Sequence, residues 1–168
     1  MEIFLIFLLI LLNGVFSMSE IAIVSSRRSR LEAAAKRGDK NAKAALDTAN
    51  SPNKFLSTVQ IGITLIGILT GIFSGEKITD DLTKYVEGFA LIQPYAETIA
   101  VGIVVVILTF FSLVIGELVP KRIGLSNPEF FAKLVARPMQ VPSIITAPFV
   151  WLLTATSDVL IKLFRIKP

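Results

Sequence analysis

Long apolar runs alternate with short charged segments along this chain. Four such runs cover residues 3–24, 55–73, 99–119 and 139–163. A helix needs about 20 mainly apolar residues to cross the hydrocarbon core of a bilayer. The first three runs approach that length, and they predict an all-α membrane protein with transmembrane helices over 3–24, 55–73 and 99–119.

The fourth run differs from the first three. It holds Pro142 and Pro148, and its tail carries Lys162, Arg165 and Lys167. A crossing here would leave that basic tail on the outer side of the membrane, against the positive-inside rule. We therefore predict interfacial or half-inserted helices over residues 129–165.

Composition supports a domain embedded in the lipid bilayer. Apolar residues make up 53% of the chain, whereas soluble domains run nearer 45–50%. Glu2 and the polar residues from Asn13 onward do not fit a cleaved secretory signal. The first run is therefore interpreted as a retained helix.

The basic residues are distributed unevenly. Lys77 and Lys84 are the basic residues between the second and third runs. The positive-inside rule places the N-terminus and the acidic segment 75–97 outside, and the C-terminus in the cytoplasm. We expect a multi-pass protein of the plasma (inner) membrane.

The net charge of +4 does not indicate nucleic-acid binding, because the basic residues are distributed as the positive-inside rule describes for a membrane protein. The basic residues between the first two runs are Arg27, Arg28, Arg30, Lys36, Arg37, Lys40, Lys43 and Lys54.

The segment between the first two spans is rich in Ala, Lys and Arg over residues 27–49. These residues favour a helix, and Pro52 ends it. A basic helix beside a membrane lies near the lipid headgroups. The segment predicts a cytoplasmic juxtamembrane helix.

The residue inventory excludes several kinds of chemistry. The chain has no Cys and no His, so Zn and Cu sites are not expected. No nucleophile–base pair and no glycine-rich phosphate loop is visible, and we predict no enzymatic activity. Oxygen ligands remain, and these suit hard cations such as Mg²⁺.

Polar residues in the first span follow helical spacing. Asn13, Ser17 and Glu20 stand at i, i+4 and i+7, which places them on one face. Ser19 points elsewhere in a regular helix, but it is retained as a candidate ligand. Polar groups in a membrane helix are costly and need a reason. The alternative is that Glu20 lies at the headgroups while Asn13 and Ser17 bond neighbouring helices.

The second span carries a stripe of polar and small residues at 57, 60, 64, 67 and 71. Such stripes commonly mark close helix packing, which accounts for Gly67 and Gly71. Packing accounts less well for Gln60 and Thr64, which are candidate ligands.

In the third span, Gly116 and Glu117 precede Pro120. Proline has no N–H, so the Gly116 carbonyl loses its helical partner. A bared carbonyl beside a carboxylate is how broken transmembrane helices form cation sites. The alternative is an ordinary proline kink with Glu117 at the cytoplasmic interface.

Three segments carry a family resemblance, at residues 13–20 (NGVFSMSE), 58–65 (TVQIGITL) and 116–121 (GELVPK). Together they resemble the transmembrane domain of the CorC/cyclin M family of magnesium transport proteins, over essentially the whole chain. Some relatives have Asn in the second span where this chain has Ile63 and Gly67.

The resemblance implies three transmembrane helices with juxtamembrane helices, a homodimer, and Na⁺-dependent Mg²⁺ export. It also implies a pair of cytosolic CBS domains in a full-length chain, which these 168 residues do not contain. Two rival functions remain open. One is a membrane anchor and dimerisation module that transports nothing, and the other is a transporter of Mn²⁺ or Co²⁺.

Overall fold

The computed structural model describes residues 2–74, 77–88 and 93–163, and none of these lies in a β-strand. Three helical segments are long and apolar enough to cross a membrane, at Ile3–Ser25, Pro52–Phe73 and Gln93–Ser126. The predicted all-α membrane fold is confirmed. Within the predicted outer segment, positions 75, 76 and 89–92 lie outside the described residues, as do Arg165 and Lys167 of the tail.

Each spanning segment is long enough for the hydrocarbon core, which is about 30 Å thick. Helix α1 (Glu2–Ser25) has 24 residues, or about 36 Å at 1.5 Å per residue. In the most apolar stretch of the second span, only 28% is buried within the chain, and in that of the third span only 17%. Apolar surface of this extent is stable only against lipid or another protein surface.

The chain divides into two compact units, of which the first comprises Met1–Met18 and Ile63–Ser126. In the first unit, helix α5 (Lys77–Glu87) packs on helix α6 (Ala96–Leu113). Thr79 and Val86 are buried on α5, and Ala96, Ala100 and Val104 are buried on α6. The predicted outer loop therefore contains a helix whose apolar face is covered.

The third span contains a π turn just before its proline. Helix α6 passes through a π turn (Val114–Leu118) into helix α7 (Val119–Ser126). The Val119 N–H donates to the Val114 carbonyl, a five-residue step instead of four. A π turn leaves a widened ring in the backbone, and such turns are frequent at functional sites. Pro120 stands just after this turn, where its missing N–H is tolerated.

The second unit comprises Ser19–Gly62 and Asn127–Pro168. The stretch predicted as one helix over 27–49 is two helices, α2 (Arg28–Lys36) and α3 (Lys40–Asn50). Gly38 has φ of +90°, a left-handed conformation that ends α2. Asp39 then begins α3, because its side chain accepts from the N–H groups of Asn41 and Ala42.

Helix α3 packs against helix α8 (Pro128–Ala136) through small residues. Ala42, Ala45 and Ala132 are fully buried in this contact region. Lys133 on α8 lies 3.1 Å from the carboxylate of Asp39. The N–H of Ala42, followed by Lys133, holds the pKa of Asp39 below its ordinary value.

The C-terminal part forms α8, then α9 (Gln140–Ile145) and α10 (Ala147–Leu163). Thr146 joins the last two helices, and its hydroxyl lies 3.2 Å from that of Thr58 on helix α4 (Pro52–Ser74). The described part of α10 has 17 residues, which is at the lower end of the range of about 17–25 residues for membrane-crossing helices. An interfacial or half-inserted position stays a prediction.

Candidate cation site

Two glycines let α1 approach the π turn closely. A Cβ atom at Gly14 would lie 2.9 Å from the Pro120 ring and 3.2 Å from the Ile115 carbonyl oxygen. A Cβ atom at Gly116 would lie 3.2 Å from the Ile10 carbonyl oxygen. Because neither glycine has a side chain, the two backbones come together here, as small residues allow in membrane helices.

A hydrogen bond joins the two segments at this point. The side-chain amide of Asn13 donates from Nδ2 to the Gly116 carbonyl oxygen at 3.0 Å. Pro120 cannot donate to that carbonyl, as the sequence predicted. The carbonyl nevertheless has a partner, which the sequence did not predict. The bond fixes the orientation of the Asn13 side chain, so its other end, Oδ1, has a set direction.

Two buried side-chain oxygens of α1 have no hydrogen-bond partner among the described residues. They are Oδ1 of Asn13 and Oγ of Ser17, at i and i+4 on one helix face. Ser17 is fully buried. A buried polar atom without a partner costs about 1–3 kcal/mol, so each instance needs an explanation. Two neutral oxygens with open lone pairs are what a bound hard cation would satisfy.

The carboxylate of Glu117 does not stand alone. Its Oε1 lies 2.7 Å from the Nζ of Lys121, one helical turn further along. Both side chains are partly exposed, Glu117 by 39% and Lys121 by 33%. The predicted carboxylate therefore lies within the π turn of the third span, in contact with an ammonium group.

A cavity of about 370 Å³ lies beside Asn13 in the first unit. Its polar lining comprises Asn13, Thr70, Thr109 and Ser112. The three hydroxyl residues were not among the predicted ligands. Thr109, Ser112 and Gly116 stand at i, i+3 and i+7, which places them on one helix face. The same spacing argument that was used for the first span would therefore have indicated Thr109 and Ser112 as candidate ligands.

The remaining predicted residues have other positions. Thr64 is exposed and does not line the cavity beside Asn13. In the second unit, Glu20 and Gln60 line a cavity of about 360 Å³ together with Ser57. Ser19 is fully buried. The structure thus brings together Asn13 and Gly116 by contact, and Glu20 and Gln60 by a shared cavity.

Charge is sparse around these oxygens. Among the described residues, no three side chains of Asp, Glu, His or Cys converge as a metal cluster. The ligands predicted from the sequence in the first unit would offer mainly neutral oxygens, with one carboxylate from Glu117. Such a set holds a hard cation loosely, and Mg²⁺ in particular keeps several of its water ligands in sites of this kind.

The sequence matches a family model described as the cyclin M transmembrane N-terminal domain over residues 4–168. It is 51% identical over 166 residues to UPF0053 protein sll0260 of Synechocystis sp., covering 99% of this chain and 37% of that protein. It is 31% identical over 164 residues to UPF0053 protein YhdT of Bacillus subtilis, covering 98% and 36%. It is 33% identical over 163 residues to the polyamine export protein of Haemophilus influenzae, covering 94% and 36%. The chain spans a little over a third of the length of these curated relatives.

Proposed function

This chain belongs to the family of cyclin M transmembrane N-terminal domains, and on that basis we propose that it is the membrane-spanning domain of a transporter that exports Mg²⁺. The observation that carries this proposal is the pair of buried oxygens without partners among the described residues, Asn13 Oδ1 and Ser17 Oγ. They lie on the same side of α1, and Asn13 contacts Gly116 in the π turn of the third span. A cation bound there would remove the cost of leaving both oxygens unsatisfied.

The donor chemistry favours a hard divalent cation. The first-unit ligands are the oxygens of Asn13 and Ser17 and the carboxylate of Glu117, with the Gly116 carbonyl beside them. Mg²⁺ takes oxygen ligands in near-octahedral geometry and gives up its water reluctantly. A few neutral oxygens and one carboxylate replace part of its hydration shell without trapping it, which suits a transported ion better than a resident one.

The cavity beside Asn13 supports a route to this site. Hydroxyl groups of Thr70, Thr109 and Ser112 line it. Gly67 and Gly71 keep its wall open, because a Cβ atom added at either position would meet no neighbouring side chain or helix within 4 Å. Irregular backbone and polar groups at membrane depth are tolerated where they line a water-filled cavity. A cavity that reaches Asn13 would give a cation access to this site, which a transport mechanism needs.

We assign the direction of transport and its coupling to Na⁺ from the family resemblance, and the membrane topology from the distribution of basic residues. Export would be driven by Na⁺ across the plasma membrane, with the N-terminus outside and the C-terminus in the cytoplasm. The chain has no cysteine of its own, so single cysteines introduced at Ile3 and Lys162 report their side by membrane-impermeant labelling. Labelling at Lys162 from outside only would show that α10 crosses the membrane.

The functional protein is proposed to be a homodimer whose full-length chain continues into cytosolic CBS domains. The exposed apolar surface of the spans supports a partner subunit in addition to lipid. The mass of the detergent-solubilised protein measures this directly. We expect two chains per particle, and a monomer that still transports would contradict the dimer.

A second cargo is favoured by the relatives, because several of them carry the name polyamine export protein. Neutral oxygens and a carboxylate also accept hydrogen bonds from ammonium groups. A polyamine would bind the same residues through N–H donors, without losing a tightly held water shell.

Cation flux from proteoliposomes distinguishes these functions. Vesicles containing the chain are loaded with Mg²⁺, Mn²⁺, Co²⁺ or spermidine, and efflux is followed with and without a Na⁺ gradient. Mg²⁺ efflux that is reduced in Glu117→Gln supports the proposal. Spermidine efflux without Mg²⁺ efflux assigns the second cargo, and preferred Mn²⁺ or Co²⁺ efflux assigns another metal. No efflux of any cation from correctly inserted protein would leave the membrane-anchor function.

A further inference from the structure

The ion pair between Lys121 and Glu117 has an unusual place. The Nζ–Oε1 distance of 2.7 Å is shorter than the 3.3 Å of the Lys84–Asp81 pair and the 3.1 Å of the Lys133–Asp39 pair. Each partner keeps about a third of its side chain exposed, so the ammonium has room to move away. Glu117 lies in the π turn, next in sequence to the Gly116 that Asn13 contacts, and Lys121 lies on α7.

We propose that Lys121 is a tethered cation, which occupies the Glu117 carboxylate while the site is empty and is displaced when the cargo binds. This inference rests on the proposed cation-transport function of the same site. Coordination by Glu117 requires a cargo cation at about 2.1 Å from a carboxylate oxygen. The Lys121 ammonium cannot keep a 2.7 Å contact with the same carboxylate without strong repulsion from a dication.

The first consequence concerns the empty transporter. A lone carboxylate inside a membrane span is costly, and a carrier must pass through its empty state in each cycle. With the ammonium of Lys121 on Glu117, the empty site carries no net charge from this pair. The cargo then exchanges with a built-in cation instead of leaving a bare anion behind.

The second consequence concerns selectivity. When a monovalent ion such as K⁺ replaces the ammonium, the carboxylate loses one positive neighbour and gains another of the same charge. The exchange therefore brings little electrostatic advantage. A dication gains twice the attraction to the carboxylate. Lys121 therefore sets a threshold that favours divalent cargo over the abundant monovalent ions. It is a positioning and selectivity residue, not a ligand.

Calorimetric titration of the detergent-solubilised chain with Mg²⁺ tests this. Lys121→Gln should bind Mg²⁺ about threefold to fivefold more tightly than wild type, since partly exposed ion pairs are worth up to a factor of about five. In Lys121→Gln, exchanging choline chloride for KCl at equal ionic strength should weaken Mg²⁺ binding. The same exchange should leave the wild type unchanged. Lys121→Met is a second neutral variant, should the first not yield folded protein.

Two control variants make the result specific. Lys121→Arg keeps the tethered charge, and we expect wild-type affinity within about twofold. Lys84→Gln removes an exposed ion pair from the same unit, and we expect no change in affinity. If the wild type binds Mg²⁺ and Lys121→Gln binds it no more tightly, or more weakly, the tethered-cation inference is wrong while the transport proposal stands. If neither protein binds Mg²⁺, the proposed function fails and this inference fails with it.

Discussion

Replacing Ser17 by alanine has opposite consequences for the empty and the cation-bound protein. The Ser17 hydroxyl is fully buried, and its Oγ has no partner among the described residues. A buried polar atom left in that condition costs about 1–3 kcal/mol. Ser17→Ala removes the atom that bears this cost, and alanine also favours the helix by up to about 0.5 kcal/mol. In the absence of divalent ions, we expect the variant to be more stable than wild type by about 1 kcal/mol or more.

For a chain of this size, about 1 kcal/mol corresponds to a rise in Tm of about 2–4 °C. With saturating Mg²⁺ this advantage of the variant should become smaller. A ligand that binds the native state adds stability in proportion to the logarithm of its concentration over Kd. Loss of a neutral oxygen ligand should raise the Kd for Mg²⁺ about threefold to tenfold. The Mg²⁺-induced rise in Tm should therefore be smaller in Ser17→Ala than in wild type.

Thermal unfolding followed by circular dichroism, with and without Mg²⁺, measures both quantities. Ser26→Ala is the matched control, because the Ser26 hydroxyl is also buried but donates to the Ile23 carbonyl at 2.8 Å. That variant should be slightly less stable than wild type and should keep the full response to Mg²⁺. If Ser17→Ala lowers the Tm of the ion-free protein as Ser26→Ala does, our account of the unpaired hydroxyl is refuted. An unchanged Mg²⁺ response would remove Ser17 from the ligand set.

Three further substitutions test other parts of the structure. Glu117→Gln keeps the shape of the side chain but removes its charge, so Mg²⁺ affinity measured by calorimetry should fall by about tenfold or more; unchanged affinity would make the carboxylate a structural partner of its lysine. Gly14→Ala would place a Cβ atom 2.9 Å from the Pro120 ring, and we expect a loss of about 1–3 kcal/mol in thermal unfolding. Gly102→Ala is its control, since nothing lies within 4 Å of the added atom; equal losses in both would contradict the close contact. The lowered pKa of Asp39 means that its contribution to stability is present above the ordinary pKa and is lost as pH falls through the lowered one. Unfolding between about pH 6 and about pH 2 should show that loss in wild type and not in Asp39→Asn.

Much of the fold was predictable because a bilayer imposes a simple requirement on sequence. Apolar runs of sufficient length indicate spans whatever their neighbours, and the three predicted spans coincide with the three long apolar helices. The break at Gly38 was harder to predict. Helix propensity summed over residues 27–49 favours one helix, but a left-handed glycine followed by a capping Asp39 ends it. The sequence contained that signal as a Gly-Asp pair in an otherwise helical stretch.

The candidate site was predictable in its residues but not in its pairings. Helical spacing placed Asn13 and Ser17 on one face, and the structure has both with a buried oxygen that is unpaired among the described residues. The bond from Asn13 to Gly116 joins positions 103 apart in sequence, and no local pattern indicates such a contact. The π turn was not predicted from the sequence either.

The Asn13–Gly116 bond changes what each group can do for a cation. The Gly116 carbonyl was predicted to be free, yet its role in this structure is to hold one end of the Asn13 amide. An amide fixed through Nδ2 presents Oδ1 in a defined direction and loses little freedom when a cation binds. Glycine is needed at position 116 for the same reason, because an added Cβ would lie 3.1 Å from Nδ2 of Asn13. The carbonyl, the glycine and the amide therefore act as one unit that orients an oxygen.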